Sequence, residues 1–321
     1  MLRARHRTEQ RRVKSRDEIV ATDSLRWTIV IMTKRRQRGI TGAMLIVLYG
    51  VFIYAGGCAD RLLLFPSTNK QDSAGAVRRL VPMGEHQVEV WVARSKALTD
   101  DAAPPAGYVI EFLGNASRAE WVAQETAWHW RDQPVEIWAV NYPGYGGSGG
   151  RASLRSFAPT STAVYDHVRA MNASALIFVR AESIGTTTAL YLATVRPVAG
   201  LVLSNPTPLR QLILGRFGWW NAWLVAGPVA LGVPGELSSP SNAAKLSGTP
   251  VVFLSSLDDE VVPAKYQRKV IDVYTGPMQV IDRPGARHNS PLDANTRSAL
   301  HDAIAGLWRG AVERQSLDAR N

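Results

Sequence analysis

The chain interposes short, largely apolar runs between longer stretches in which apolar and polar positions mix. The runs at 108–112, 135–140, 176–179, 200–203, 251–254 and 278–281 have the length and content of strands buried on both faces of a sheet. Between them, 117–131, 160–171, 186–195, 265–274 and 294–308 read as helices. Residues 86–92 alternate polar and apolar, the pattern of an antiparallel edge strand with one solvated face, whereas 67–80 read as a polar linker and 99–107 as a loop. Strands alternating with helices predict an α/β fold: a mostly parallel sheet with helices on both faces, whose ligands sit at the carboxyl ends of the strands.

A different pattern precedes this body. Residues 1–38 are polar and arginine-rich, a basic leader without apolar periodicity. From Gly39 to Ala59 no residue is charged, and such a run rises about 31 Å as a helix, the thickness of a bilayer's hydrocarbon core. This predicts an N-terminal membrane segment over 39–59, with Lys34-Arg-Arg-Gln-Arg38 kept cytoplasmic and the domain at 60–321 carried to the non-cytoplasmic side. Two attachments fit. One is a retained signal anchor; the other is a cleaved lipoprotein signal, because Ala55-Gly-Gly-Cys58 resembles a bacterial lipobox in which Cys58 takes the lipid. A start at Met32 would give the second its compact layout.

The formal charge of +10 adds little, because residues 1–40 hold 12 Lys/Arg against 4 Asp/Glu and leave a net +2 on everything after them. A body so close to neutral excludes the basic surface of a nucleic-acid-binding domain. The lone cysteine, Cys58, excludes an intramolecular disulfide and a cysteine-based zinc cluster, and no motif calls for a metal or cofactor.

The chemistry gathers where predicted strands end. After the run at 176–179, Ala181-Glu-Ser-Ile-Gly185 places Ser183 between small residues on a strand-to-helix turn, one methyl away from a Gly-x-Ser-x-Gly elbow. Ser183 reads as a nucleophile. After 108–112, Leu113-Gly-Asn-Ala116 lets the backbone N–H of Asn115 face a developing oxyanion, together with that of Ile184. After 251–254 come Asp258, Asp259 and Glu260, ahead of Val-Val-Pro263, and after 278–281 comes His288. A serine hydroxyl attacks only once a base takes its proton, and an imidazole base needs a carboxylate to fix its tautomer. Ser183, Asp259 and His288 fit those roles in chain order, with Asp258 the competing acid. The glycine-rich loop from Asn141 to Gly150 lacks the Lys-Ser/Thr of a phosphate cradle and opens no helix. His6, His86, His129, His167 and His301 stand in the leader, on the edge strand or within helical patterns, and read as packed or exposed imidazoles.

Asn141-Tyr-Pro-Gly-Tyr-Gly-Gly-Ser-Gly, Leu113-Gly-Asn-Ala, Asp259-Glu-Val-Val-Pro and Gly285-Ala-Arg-His-Asn together resemble the Bem46-like, ABHD13/ABHD17-type serine hydrolases of the α/β-hydrolase superfamily. The resemblance spans about residues 62–308 and implies an α/β-hydrolase fold and a membrane-tethered enzyme that cleaves carboxylic esters or thioesters through an acyl-enzyme. It departs at the site itself: Ala181 replaces a glycine, Glu182 stands where Arg or Gln is common, Leu113 replaces a histidine and Arg287 a glycine. Those departures motivate an alternative, a catalytically silent binding or scaffold protein at the membrane. The Trp-rich insertion at about 206–246, with Trp219, Trp220 and Trp223, resembles a cap that walls an apolar acyl pocket; a helix packed on the domain and contact with the bilayer interface are the other readings.

Overall fold

In a computed structural model, residues 34–51, 57–69, 71–100, 103–221 and 224–320 are described, and the chain divides into two units, 1–56 and 57–321. In the first unit, residues 34–51 form helix α1, which begins in the cationic cluster and exposes Ile40, Met44, Ile46 and Val47. Among the described residues no helix is long and apolar enough to cross a membrane. The expected segment at 39–59 runs past α1 into residues 52–56, which lie outside the described ones.

The second unit opens with α2 (Cys58–Leu63) and is built on eight strands: β1 (Val77–Met83), β2 (His86–Arg94), β3 (Gly107–Phe112), β4 (Val135–Val140), β5 (Leu176–Glu182), β6 (Gly200–Ser204), β7 (Val251–Ser256) and β8 (Met278–Arg283). Their order across the sheet is β1-β2-β4-β3-β5-β6-β7-β8. β2 runs antiparallel to both neighbours and every other pair is parallel. β1 falls where the sequence suggested a linker. Most of its residues are exposed, and Arg78, Arg79 and Pro82 are residues of a sheet edge rather than a core, so no apolar pattern marks it.

Helices α3 (Ala119–His129) and α10 (Ala294–Asp318) cover one face of the sheet; α4 (Phe157–Met171), α5 (Gly185–Val195), α8 (Ser239–Ala243) and α9 (Ala264–Ile271) cover the other. The alternation within β3 shows the division, since Ile110 and Phe112 pack with the second group of helices and Val109 with the first. Covering both faces is what lets the central strands be apolar along most of their length. α10 continues ten residues past the predicted end at Trp308, because its last turns bury only Ala311 and carry no apolar stripe to read. The insertion folds as α6 (Leu209–Phe217), α7 (Ala226–Gly232) and α8.

Candidate active site

β5 delivers Ser183 and α5 leaves immediately after it, so the chain must reverse within two residues. Ser183 makes that turn with φ 51°, a left-handed conformation that a side-chain-bearing residue adopts only when its surroundings impose it. What imposes it is packing. A Cβ on Gly185 would fall 2.3 Å from the carbonyl oxygen of Phe112 and 2.7 Å from that of Leu113, so β3 leaves room only for glycine. Ala181 sits between Phe112 and Leu203 in register and is fully buried, and the methyl group is accommodated there. The Ser183 N–H donates to Ser204 O at 2.9 Å, and Ser183 O accepts from Thr186 Oγ1 at 2.6 Å.

The loop at 113–116 lies against this turn. A Cβ on Gly114 would touch Ser183 Cβ at 3.5 Å. Neither Asn115 N–H nor Ile184 N–H has an acceptor among the described residues. The Asn115 side chain is occupied elsewhere. Its Nδ2 donates to Leu63 O at 2.6 Å, while Oδ1 accepts from Phe65 N and from the Tyr145 hydroxyl, each at 3.0 Å. Burial pushes the Tyr145 hydroxyl up to about 12, so it holds its proton as a donor. This clasp binds the end of α2 and the residues just after it to the loop. The sequence carried no signal for it beyond an asparagine at a strand end.

Asp259 and His288 meet on the far side. His288 Nδ1 lies 2.7 Å from Asp259 Oδ2, and both residues are buried. Asp259 Oδ1 accepts from the backbone N–H of Val261 at 2.8 Å and of Val262 at 2.7 Å, which fixes the carboxylate. Asp258 is exposed and Glu260 holds Arg287 at 3.0 Å. Burial disfavours the charged imidazole, yet hydrogen bonding and charge from Asp259, aided by Glu182 and Glu260, raise His288 above its ordinary value of 6.5. Ser183 Oγ makes no hydrogen bond among the described residues, so it and His288 stand unjoined in this state.

A cavity of about 520 Å³ opens beside these groups, bordered by Asn115, Arg180, Glu182, Asn205, Arg283 and His288. Its walls differ from the apolar acyl pocket implied by the insertion. Trp219 and Trp220 point outward instead, and Trp223 lies outside the described residues. Three of the cavity's charged residues come from strands that pattern as apolar. Arg180 forms a buried ion pair with Glu111, its partner in register on β3, and this explains a carboxylate inside an otherwise apolar run. Arg283 donates to Ser290 O at 2.7 Å and Pro291 O at 2.9 Å, holding the loop that follows His288.

The glycine-rich loop is a buttress. Asn141 Nδ2 donates to Glu89 at 2.8 Å and Glu120 at 3.1 Å, Glu89 accepts from Gly147 N at 2.7 Å, and a Cβ on Gly146, with φ 57°, would fall 2.3 Å from Asn141 Nδ2. Its polar atoms are tied to β2 and α3, and although burial pushes Glu89 up, hydrogen bonding with Gly147, Arg78 and Asn141 keeps it below the usual carboxylate range. Among the described residues, no cluster of side chains could hold a metal ion.

No family model matches the chain. An uncharacterized protein of Mycobacterium tuberculosis H37Rv is 26% identical over 295 residues, covering 86% of this chain and all of that one. Among solved structures, the chain is similar to Est1E from Butyrivibrio proteoclasticus, with a TM-score of 0.57 at 13% identity over 74% of this chain and 99% of that one. It is similar also to the Pyrococcus furiosus esterase Pf2001, with a TM-score of 0.57 at 13% identity over 77% and 98%. Strand order, the helices on both faces and these likenesses together give the chain the α/β-hydrolase fold.

Proposed function

We propose that the chain is a membrane-tethered serine hydrolase that cleaves carboxylic esters or thioesters, of the Bem46-like, ABHD13/ABHD17 type. The observation that carries this is the left-handed turn of Ser183 placed beside the Asn115 loop, in a site that also holds the Asp259–His288 pair. In the proposed mechanism, Ser183 Oγ attacks the carbonyl carbon as His288 Nε2 takes its proton, and Asp259 holds Nδ1 and stabilises the imidazolium. The Asn115 and Ile184 N–H groups receive the negative oxygen. The alcohol or thiol leaves with the proton from His288, and water, deprotonated by the same base, releases the acid from Ser183. The polar lining of the cavity favours substrates with polar groups near the reacting carbonyl. Residues 39–59 supply the tether, as an anchor or through lipid on Cys58, with the body on the non-cytoplasmic side; the intact mass of the mature protein separates the two.

A second reading, a silent binding protein, draws on the unjoined Ser183 and His288. Apo geometry is often loose at such sites, which favours the enzyme. Labelling with a fluorophosphonate probe decides. The enzyme predicts covalent labelling that Ser183→Ala abolishes; unlabelled folded protein, or equal labelling of the variant, leaves the binding protein.

A further inference from the structure

The turn between α6 and α7 presents an apolar surface that the second unit does not cover. From Gly218 to Gly235 the sequence holds no charged residue. Even so, Trp219 is 79% exposed, Trp220 62%, Leu224 65% and Leu231 74%. The folding of α7 accounts for this: Ala226, Val229 and Ala230 face the body, which leaves Leu231 on the opposite side, with Leu224 exposed in the turn that leads into the helix. α2 extends the surface. A Cβ on Gly232 would fall 2.7 Å from Ala59, so the two helices are in close contact, and Leu62 on α2 and Phe65 just after it are also exposed. Single exposed leucines are ordinary, but a grouped set of this size marks a surface that meets something apolar.

We propose that Trp219, Trp220, Leu224 and Leu231, with Leu62 and Phe65, form a face that lies on a lipid bilayer, its side chains entering the headgroup and upper acyl region. Three features select lipid over a protein partner. The run from Gly218 to Gly235 offers no charged group for a protein's polar rim to pair with, whereas indoles are the side chains that settle at a membrane interface. Arg61, exposed on α2, is suited to anionic headgroups, whereas Arg216, two residues before the run, donates to Glu260 O and Val261 O, and an exposed Glu236 follows the run. The chain also enters this unit at Gly57, on the α2 side next to α7, directly after the uncharged residues that follow the cationic cluster. A tether there brings this side of the body to the bilayer, and the inference rests on that part of the proposed function. It is independent of the hydrolase chemistry.

The test uses the full chain with vesicles of phosphatidylcholine and phosphatidylglycerol that contain brominated phosphatidylcholine, a quencher of tryptophan at acyl depth. Binding should quench the protein's fluorescence, and Trp219→Ser/Trp220→Ser should lose the greater part of that quenching while still sedimenting with the vesicles. Leu231→Lys, at an exposed position, is a second variant that should weaken the quenching with an unchanged Tm. Sedimentation with equal quenching in wild type and double variant overturns the face and spares the tether. Failure to sediment overturns both. A dimer that shields these tryptophans from aqueous acrylamide without lipid would assign the face to a second copy and overturn the proposal. Fluorophosphonate labelling reads the hydrolase separately.

Discussion

Glu111 on β3 and Arg180 on β5 occupy one rung of the sheet and form a buried ion pair three residues ahead of Ser183. Glu111 is buried almost completely, and its Oε2 has no hydrogen-bond partner, so the pair is a costly arrangement to maintain in a core. Removing one partner leaves the other charge stranded. Glu111→Leu should therefore destabilise the chain by about 3 kcal/mol in urea unfolding, whereas Glu111→Leu/Arg180→Met should recover most of that loss. A double variant as unstable as the single one would show that the ion pair is not what the fold requires at this rung.

The raised value of His288 sets the pH response. A base must be neutral to act, so turnover of a soluble ester should rise with pH through a midpoint above 6.5. Stability should move the opposite way. Below the ordinary value the protonated pair contributes in full; as pH rises through the raised folded value, that contribution is lost. A pH–rate profile, with urea melts over the same range, checks both signs.

Asp259 and Asp258 are adjacent yet placed differently. Only Asp259 reaches His288 Nδ1, and Asp258 faces solvent. Asp259→Asn should lower kcat by about 10⁴-fold, as a carboxylate that orients a histidine typically does, with little change in fold. Asp258→Asn should leave kcat within about two-fold, as expected of a surface change away from the site. The reverse pattern would reassign the acid.

Gly185→Ala tests the turn. The added methyl would sit 2.3 Å from Phe112 O, a backbone atom held in the sheet, so the substitution should cost about 1–3 kcal/mol or more and displace Ser183. Thermal unfolding together with fluorophosphonate labelling should show both losses. Ala181→Gly, which removes a methyl the site already accommodates, should retain labelling.

The parts legible in the sequence were those in which neighbours along the chain are neighbours in space. Strand runs, the small residues around Ser183 and the polar groups at strand ends are local patterns, and β7 and β8 lie side by side, so their following loops bring Asp259 and His288 together. β1 escaped notice because an edge strand pairs through its backbone and needs no apolar stripe. The reason for Glu111 is not in its own stretch of sequence, because its partner is 69 residues away and visible only through the register of β3 and β5. The tryptophans of the insertion left pocket wall, packed helix and bilayer contact all open because composition reports apolar content and not direction. Whether an indole faces a cavity or solvent is decided by how α6 and α7 settle on the body.

The clasp of Asn115 on Leu63 and Phe65 sets where the protein can be shortened. Residues 63–65 look like a dispensable stem ahead of the first strand, but they satisfy both polar atoms of the Asn115 side chain, which ties them to the loop at 113–116. A version trimmed to begin at Val77 would keep every strand and still lose its grip on that loop. One that begins at or before Gly57 would keep the clasp, and with it the position of the loop beside Ser183.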